Sequence, residues 1–409
     1  MRPELYLLLV PDTFPGNGAV GRATHMMAKA LVENGVRVIV LARWCSGERL
    51  PAADSSVEVT TFGHFDKRRG QSLGRTAWFV SAIHFAAHVA WRMVRGGFSG
   101  AICYGLSPLL LPAALVARVL RRPIAFVQYD LYRPTNMDNR WKQRLSRLYD
   151  VSERFLARSS RLLVLSESSL LMEKFAHLAP GVSQFTRWPP TDISYFRGGD
   201  PKRGREVCGV GPETPLIIYT GAISRLEGVD LLLEAMPVVV ARHPDAVLVI
   251  AGRVVGDVFP GTMPDYHALP RHLGVEYNVR FLGLVGRETV RDLLAAADCL
   301  VMAKRDHEGN AAASPIKMGE YLASGRPVVT TRVCGVDGWL TDGMDVVFCR
   351  PGDPADLAAA LLRVLRDKAG AARIGQAGQI AGRRHCDFRQ WGRSFLQAWR
   401  ESSRRSPGK

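Results

Sequence analysis

The 409-residue sequence is short of acidic side chains. Asp and Glu number 38 against 54 Lys and Arg, which leaves a formal net charge of +16. Such an excess favours anionic partners, namely nucleic acid, an acidic membrane face or a phosphorylated ligand. General solubility is the alternative explanation. Nucleic acid fits poorly, because the basic residues are spread along the chain and no recognised binding module occurs.

The seven cysteines are not arranged in close pairs. They are odd in number and widely scattered, and no C-x-x-C occurs. This spacing argues against a disulfide framework or a zinc site, and it predicts a reducing, cytoplasmic location.

Long uninterrupted apolar runs are also missing. The most apolar windows cover residues 76–91 and 101–120, and they contain two histidines and two prolines respectively. Neither window predicts a transmembrane span, which needs about 20 clean apolar residues. The first apolar run, "LYLLLV", is too short and too soon followed by proline for a signal peptide. Any membrane attachment is therefore expected to be peripheral.

The chain does contain an early strand–loop–helix–strand pattern. "LYLLLV" is followed by the loop "PDTFPGNGAVG", by helical periodicity from Arg22, and by the apolar run "VRVIVLA". This order predicts a βαβ unit, with Gly16 and Gly18 at the phosphate-binding position of such units. A plain tight turn explains the same loop equally well.

A second alternating series begins beyond a change in composition. Residues 187–215 are rich in Pro, Gly and charge, which predicts an interdomain linker. The runs "PLIIYTG", "AVLVIAG", "VRFLGLV", "CLVMA" and "PVVTT" follow, with helical patterns between them. We therefore predict an α/β protein of two Rossmann-like domains facing a cleft, at 1–190 and 195–385. Residues 386–409 are predicted to form a C-terminal helix and a frayed tail.

The stretch "AAASPIKMGEYLASGRPVV" contains the most specific chemistry. Ser314 is predicted as a helix N-cap, with Pro315 at the first helical position. Lys317 then falls in the first turn, where the helix dipole disfavours a cation by about 0.3–1 kcal/mol, so an anion is expected nearby. An ion pair with Glu320 is the alternative. The small residues at 309–313 allow the backbone to approach a ligand closely.

These features together predict a nucleotide site. A helix N-terminus with Lys317 suits a phosphate, and Glu320, one turn later, can accept hydrogen bonds from sugar hydroxyls. Phosphate and ribose in one place indicate a nucleotide.

"SPIKMGEYLASGRPVV" resembles the signature of the retaining glycosyltransferases of the large family 4 group, which have the GT-B fold of two Rossmann-like domains. The resemblance covers nearly the whole chain, because "YTGAISRLEGVDLLLEAM", "VRFLGLVGRETVRDLLAAADCLVMA" and "PGDPADLAAALLRVLRD" follow in the family's order. Phe388 and Trp391 match the family's closing helix, which crosses back to the first domain.

The resemblance implies transfer of a sugar from a nucleotide-sugar to an acceptor hydroxyl with retention at the anomeric carbon. The acceptor would be a sugar or a lipid-linked sugar, in cell-surface glycan or glycolipid synthesis. Neither a metal nor a further cofactor is required, since lysine, arginine and backbone donors can neutralise the phosphates. Asp130 is expected near the acceptor. The expected donor-binding residues are Gly16, Gly18, Arg225, Ser314, Lys317 and Glu320.

The sequence departs from the family at four positions. Ala312 replaces the first glutamate of the family's E-x7-E motif, whose second glutamate is Glu320. Ala222 and Glu227 stand where the family has an arginine and a lysine for the donor diphosphate, and Tyr129 stands where it has a histidine near the reacting sugar.

These departures leave alternatives open. Each charge-assisted hydrogen bond to a diphosphate contributes about 1.5–3 kcal/mol, so the loss of two weakens donor binding by roughly 10²- to 10⁴-fold. Either Arg225, Lys317 and Arg253 compensate, or no conventional donor is used. The competing hypothesis is a catalytically silent GT-B partner or regulatory subunit, and a sugar-nucleotide epimerase is less favoured.

The stretch 67–95 has arginines at both ends and aromatic residues between them. This combination predicts contact with the anionic cytoplasmic face of a membrane. The alternative is a core helix with charged ends. His84 and His88, four residues apart, could bind a metal, although an ordinary amphipathic face explains them better.

Overall fold

The computed structural model describes residues 4–13, 18–44, 57–61, 75–131, 140–256, 259 and 261–404. The chain divides into two compact units, the first comprising 1–190 and 388–409 and the second 191–387. The sequence placed these bounds at 190, 195 and 385. Gly16 and residues 67–74, which the sequence analysis singled out, lie outside the described residues.

The described residues of the first unit form a seven-stranded sheet in the order β3-β2-β1-β4-β5-β6-β7. Every neighbouring pair is parallel. The central strands are continuous apolar runs because helices cover both faces, and Leu7, Leu8 and Leu9 are fully buried. The strands are β1 (Leu5–Thr13), β2 (Arg37–Trp44), β3 (Val57–Thr61), β4 (Gly100–Tyr104), β5 (Ile124–Gln128), β6 (Leu162–Leu165) and β7 (Ser183–Thr186).

The helices of this unit form two layers. The connections from β3 to β4, β4 to β5 and β5 to β6 cross the sheet in one direction, whereas the connection from β1 to β2 crosses in the other. Since such crossovers are right-handed, α2, α3 and α4 lie on one face and α1 on the opposite face. The helices are α1 (Ala19–Val32), α2 (Arg75–Arg95), α3 (Leu111–Val119), α4 (Arg140–Ser159) and α5 (Ser169–Leu178).

The second unit has a six-stranded parallel sheet in the order β10-β9-β8-β11-β12-β13. Its strands are β8 (Leu216–Thr220), β9 (Val247–Ala251), β10 (Val279–Gly283), β11 (Cys299–Met302), β12 (Val328–Thr331) and β13 (Val347–Cys349). Its helices are α6 (Ile193–Arg197), α7 (Pro201–Cys208), α8 (Val229–Arg242), α9 (Leu269–His272), α10 (Arg287–Ala296), α11 (Glu308–Ala311), α12 (Ile316–Ala323), α13 (Pro354–Arg366) and α14 (Lys368–Cys386).

The predicted linker at 187–215 contains the boundary between the units, at 190/191, but most of it is structured, so its predicted extent was wrong. The segment contains α6 and α7, which pack on α10 within the second unit. A Cβ at Gly199 or Gly204 would collide with the backbone of α10, so these glycines serve close helix packing. The buried Asp292 carboxylate accepts from the Asp200 N–H at 3.1 Å and fixes the start of α7.

The last helix, α15 (Phe388–Arg404), belongs to the first unit, as the resemblance implied. It packs on α1, where Gly392 lies against the backbone of Ala30. Trp391, Phe395 and Trp399 recur every four residues and stack along the buried side of the helix.

In the part of the chain that the structure describes, no helix is both long enough and apolar enough to cross a membrane.

Candidate functional site

The carboxyl edge of the second sheet is where a ligand site is expected. The strand order changes direction between β8 and β11, which are neighbours in the sheet. In open α/β sheets, ligands bind outside the carboxyl ends of the strands at such a switch point. The loop 221–228 follows β8, and the segment 303–315, which leads into α12, follows β11.

The loop 221–228 is shaped by a glycine at each end. Gly221 has a φ of 146° and Gly228 a φ of 72°, both in the region that favours glycine. A Cβ at Gly221 would lie 2.6 Å from Nζ of Lys317. The missing side chain therefore lets the Lys317 ammonium group lie directly against this loop.

Three charged side chains meet at this point. The Glu227 carboxylate accepts from Nζ of Lys317 at 2.6 Å and from Nζ of Lys304 at 2.7 Å. The side chains of Lys304, Lys317 and Glu227 are only 5%, 11% and 15% exposed. We call these three residues the ion triad. Because it joins the segments that follow β8 and β11 to α12, it fixes the geometry of the switch point.

Neutral side chains complete the surroundings of the two lysines. Lys317 donates to the Tyr219 hydroxyl at 3.1 Å, and its ammonium group lies 4.6 Å from the centre of the Tyr219 ring. Lys304 donates to Oδ1 of Asn310 at 2.9 Å, and the Asn310 amide in turn donates to the backbone carbonyls of Leu226 and Arg305. Lys304 is therefore held by a structural network, whereas Lys317 lies beside the first turn of α12.

The pKa values reflect this arrangement. Burial alone would raise the pKa of the Glu227 carboxyl, but Lys317 and Lys304 outweigh burial and lower that pKa from 4.5 to about 2. Burial and the nearby Glu227 carboxylate raise the pKa of Tyr219 well above 10. Glu227 is therefore ionised and Tyr219 neutral at physiological pH.

The ion triad supplies the anion that the sequence predicted beside Lys317. Two lysines and one carboxylate leave the triad with one net positive charge, and the amino end of α12 adds a partial positive charge. This edge can therefore attract one further anionic group, with less surplus charge than two unpaired lysines would provide.

The predicted cap of α12 was wrong. The helix starts at Ile316, and its N-cap is Pro315, which has an extended ψ of 123° and makes no side-chain capping bond. Ser314 precedes the helix by two residues and is 6% exposed. Within the described structure its hydroxyl has no hydrogen-bond partner. The shift arises because the first backbone bond runs from the Met318 N–H to the Pro315 carbonyl.

The other donor-side residues lie close along this edge. Glu320 is buried in α12, one turn after Lys317. Arg225 donates to the backbone carbonyl of Phe259 at 2.7 Å, and its guanidinium lies 5.5 Å from the centre of the Phe259 ring. Ala312 is fully buried, so a small side chain fills the place of the family's first glutamate.

The first unit has its own candidate edge. Gly18 is the N-cap residue of α1 after β1, and Asp130 follows β5. Loss of hydration raises the pKa of Asp130, although part of its side chain is exposed. The Tyr129 hydroxyl, in the place of the family's histidine, accepts from Nε1 of Trp391 at 3.2 Å. Tyr129 therefore ties the sheet to α15.

Sequence analysis missed Lys304, Asn310 and Tyr219. The position of Lys304, two residues after β11, was a usable signal, because the carboxyl ends of parallel strands gather at one edge. The histidine pair found no support: His84 is exposed, and His88 lies 5.1 Å from the Trp91 ring. Among the described residues, no group of three His, Cys, Asp or Glu side chains is placed to hold a metal ion.

Residues 214–367 match the profile of the family described as "Glycosyl transferases group 1". The second unit therefore matches the glycosyltransferase group 1 family. This span includes the ion triad, α12 and both strands at the switch point. It covers less than half of the chain.

Curated relatives agree with this match. "D-inositol 3-phosphate glycosyltransferase 2" of Catenulispora acidiphila is 31% identical over 180 residues, which cover 43% of this chain and only 41% of that protein. "Glycogen synthase" of Mycobacterium tuberculosis is 26% identical over 393 residues, which cover 88% of this chain and 86% of that protein.

Solved structures extend the likeness to both units. Anabaena HepE in complex with UDP and glucose superposes with a TM-score of 0.70 at 17% identity, covering 97% of this chain and 100% of that one. Sucrose-phosphate synthase from Thermosynechococcus elongatus superposes with a TM-score of 0.71 at 16% identity, covering 99% and 100%. The predicted GT-B fold, with two Rossmann-like domains, is thereby confirmed.

Proposed function

We propose that the protein is a glycosyltransferase that moves a sugar from a nucleotide-sugar to an acceptor hydroxyl, with retention at the anomeric carbon. The observation that carries the proposal is the ion triad, a buried cationic group at the switch point of a unit that matches the glycosyltransferase group 1 family. HepE, which shares the fold, was crystallised with UDP-glucose.

The donor diphosphate would bind beside Lys317 and the amino end of α12. Of the two lysines in the ion triad, Lys317 is the one that belongs to α12. Ser314, whose hydroxyl has no partner in the described structure, precedes that helix by two residues. Glu320, one turn on, would accept hydrogen bonds from the ribose. As the sugar bond breaks, negative charge grows on the leaving diphosphate, and a preorganised ammonium group stabilises it.

The Glu227 carboxylate would limit this stabilisation. Lys317 shares its charge with Glu227, so the donor must compete with that carboxylate or accept a shared hydrogen bond. Lys304 would stay on Glu227 and on Asn310, and it would hold the carboxylate in place while Lys317 turned toward the phosphate. In this arrangement the triad compensates in part for the arginine and lysine that the family carries at 222 and 227.

Asp130 would serve the acceptor. Its raised pKa makes the carboxylate a better proton acceptor, as proton removal from an attacking hydroxyl requires. Gly18, the N-cap residue of α1, would offer backbone N–H groups to a phosphate. A sugar or a lipid-linked sugar would supply the hydroxyl, in glycan or glycolipid synthesis at the cytoplasmic face of the membrane.

A nucleotide screen tests the proposal. Thermal unfolding with UDP, GDP, ADP and their glucose conjugates should show stabilisation by one base, and calorimetry should then give its affinity. NMR of the transfer product should show the same anomeric configuration as the donor. Lys202→Ala, an exposed lysine on α7, is the matched control for Lys317→Ala and should bind nucleotide normally. If no nucleotide or nucleotide-sugar stabilises the protein, the proposal is wrong.

A silent GT-B partner of an active transferase is the second candidate. The observation that favours it is the same Glu227 carboxylate, which already neutralises the lysine that would bind phosphate. A silent partner would show no nucleotide binding, yet would raise the turnover of a co-purified transferase. Binding of any nucleotide with product formation excludes it.

A further inference from the structure

The helix α2 is apolar on two opposite sides. One side faces the core, where Phe85, Val89 and Met93 are fully buried. The other side faces solvent and exposes large apolar side chains at three- and eight-residue spacings, which place them on one stripe. These are Val80 (52% exposed), Ile83 (64%), Trp91 (50%) and Val94 (55%). A surface helix of a globular protein normally has a polar outer side.

The neighbouring helices of the same layer continue this surface. Leu115, Val119 and Leu120 are exposed on or directly after α3, and Leu148 and Val151 are exposed on α4. We call the nine residues together the apolar face. Among the described residues it holds nine of the 18 large apolar side chains that are exposed, whereas α1 and α15 on the other layer hold none.

The segment that carries the apolar face is rich in positive charge. Residues 75–159 contain 13 arginines and lysines but only four acidic residues, a net charge of +9 within a chain whose net charge is +16. Exposed arginines lie on each helix: Arg95 on α2, Arg118 on α3, and Arg147, Arg154 and Arg158 on α4. Arg95 also places its guanidinium 5.3 Å from the centre of the Trp91 ring.

We propose that the apolar face docks on an anionic lipid bilayer. A contiguous exposed apolar patch marks an interaction site, and apolar side chains flanked by arginines suit the boundary between acyl chains and acidic headgroups. The charge selects this occupant, because an apolar protein partner needs no such surplus of arginine. The structure also revises the contact predicted at 67–95, since Phe85 belongs to the core and α3 and α4 enlarge the surface.

Vesicle flotation of the full chain tests the proposal without any nucleotide, so its outcome is separate from that of the proposed transfer reaction. The protein should float with vesicles rich in phosphatidylglycerol. It should remain in the bottom fraction of the gradient when the vesicles are pure phosphatidylcholine. Binding should fall as salt is added, because surface charges are screened over about 10 Å at 0.1 M salt.

Two variants probe the two components of the surface. Ile83→Ser with Trp91→Ser should lower the partition coefficient at least about tenfold, since apolar burial contributes to interfacial binding. Arg95→Glu with Arg118→Glu should lower it about tenfold or more on anionic vesicles and flatten its salt dependence. All four residues are exposed, so thermal unfolding should be unchanged.

Matched controls come from the second unit. Leu284→Ser with Ile380→Ser removes side chains that are 74% and 65% exposed, and Arg383→Glu with Arg384→Glu reverses two exposed charges. Neither control should change the partition coefficient by more than about twofold, because these four residues are not part of the apolar face. Trp91→Phe should keep binding and reduce the quenching of protein fluorescence by brominated lipid.

Three results would overturn the proposal. One is a protein that stays out of anionic vesicles at low salt. A second is a loss of binding in the controls as large as in the test variants. The third is a dimer in light scattering that Ile83→Ser with Trp91→Ser dissociates, which would assign the face to a second copy of the chain.

Discussion

The carboxyl edge of the second sheet holds two buried lysines with a glutamate between them, whereas the same edge of the first sheet holds carboxylates and phenols. In the first unit, burial raises the pKa of the Tyr104 phenol well above 10, and the nearby Tyr129, Asp130 and Asp12 raise it further. Burial lowers the pKa of Arg43 on the neighbouring strand, and the Asp12 carboxylate opposes that effect. The two edges share a parallel topology and differ in charge.

The difference shows that topology positions a site and side chains decide its chemistry. Both edges gather the ends of parallel strands at a switch point, so both are suited to ligands. A cationic edge is suited to bind an anionic group, and a carboxylate whose pKa is raised, as at Asp130, is suited to accept a proton. Substitutions in the ion triad test whether it makes the second edge cationic.

The largest effect is expected for Lys304→Met. The change leaves the Glu227 carboxylate with Lys317 alone and removes the hydrogen bond to Asn310. Breaking a buried ion pair on one side costs about 3–5 kcal/mol of unfolding free energy, because a charge is left poorly paired. Urea unfolding should show a loss of this size.

Two further variants define that measurement. Lys202→Met, on the exposed side of α7, should change the unfolding free energy by less than about 0.5 kcal/mol. Adding Glu227→Leu to Lys304→Met should deepen the loss, since the Lys317 ammonium group is then left without its carboxylate partner. A loss for Lys304→Met no larger than that for Lys202→Met would show that the triad is not structural.

Glu227→Gln should change how stability depends on pH. Because the folded chain lowers the Glu227 pKa from 4.5 to about 2, the ionised carboxylate stabilises the fold above pH 4.5. That contribution, on the order of 3 kcal/mol from the size of the shift, is lost as the pH falls towards 2. The stability difference between the parent and Glu227→Gln should therefore be largest near neutral pH and shrink between pH 4.5 and 2.

Glu213→Gln is the control for this titration. Glu213 is 89% exposed and lies 3.6 Å from Lys368, so it should give a small difference at every pH. If the unfolding free energies of the two variants depended on pH in the same way, the lysines would not lower the pKa of Glu227.

Lys317→Ala separates the two edges by function. Removing a charge-assisted hydrogen bond costs about 1.5–3 kcal/mol, so nucleotide affinity in calorimetry should fall about 10- to 150-fold. Asp130→Asn, on the other edge, should lower turnover and leave nucleotide affinity within about twofold, since a general base acts on the acceptor proton. If Asp130→Asn weakened nucleotide binding as much as Lys317→Ala, the two edges would not have separate roles.

Much of the fold could be predicted, because continuous apolar runs alternating with helical periodicity are local signals. The extent of the predicted linker was wrong for a physical reason: Pro, Gly and charge also suit short helices, and Gly199 and Gly204 serve packing on α10. The partner of Lys317 could not be predicted, because Glu227 lies 90 residues away in the sequence. The two side chains come together only when the sheet has formed. Local spacing indicated only that an anion was needed.

The smallest effect is expected at Ser314, and its sign is informative. A buried hydroxyl without a partner keeps its desolvation penalty, so Ser314→Ala should raise the unfolding free energy of the ligand-free protein by up to about 1 kcal/mol. If the hydroxyl serves a donor phosphate, the same change should lower nucleotide affinity by up to about tenfold. Ser324→Ala is the control: the Ser324 hydroxyl donates to the Tyr321 carbonyl at 2.6 Å, so its loss should destabilise the protein and leave affinity unchanged. Paired urea unfolding and nucleotide titration measure both quantities. If Ser314→Ala raised the unfolding free energy without lowering nucleotide affinity, Ser314 would have no part in binding the donor.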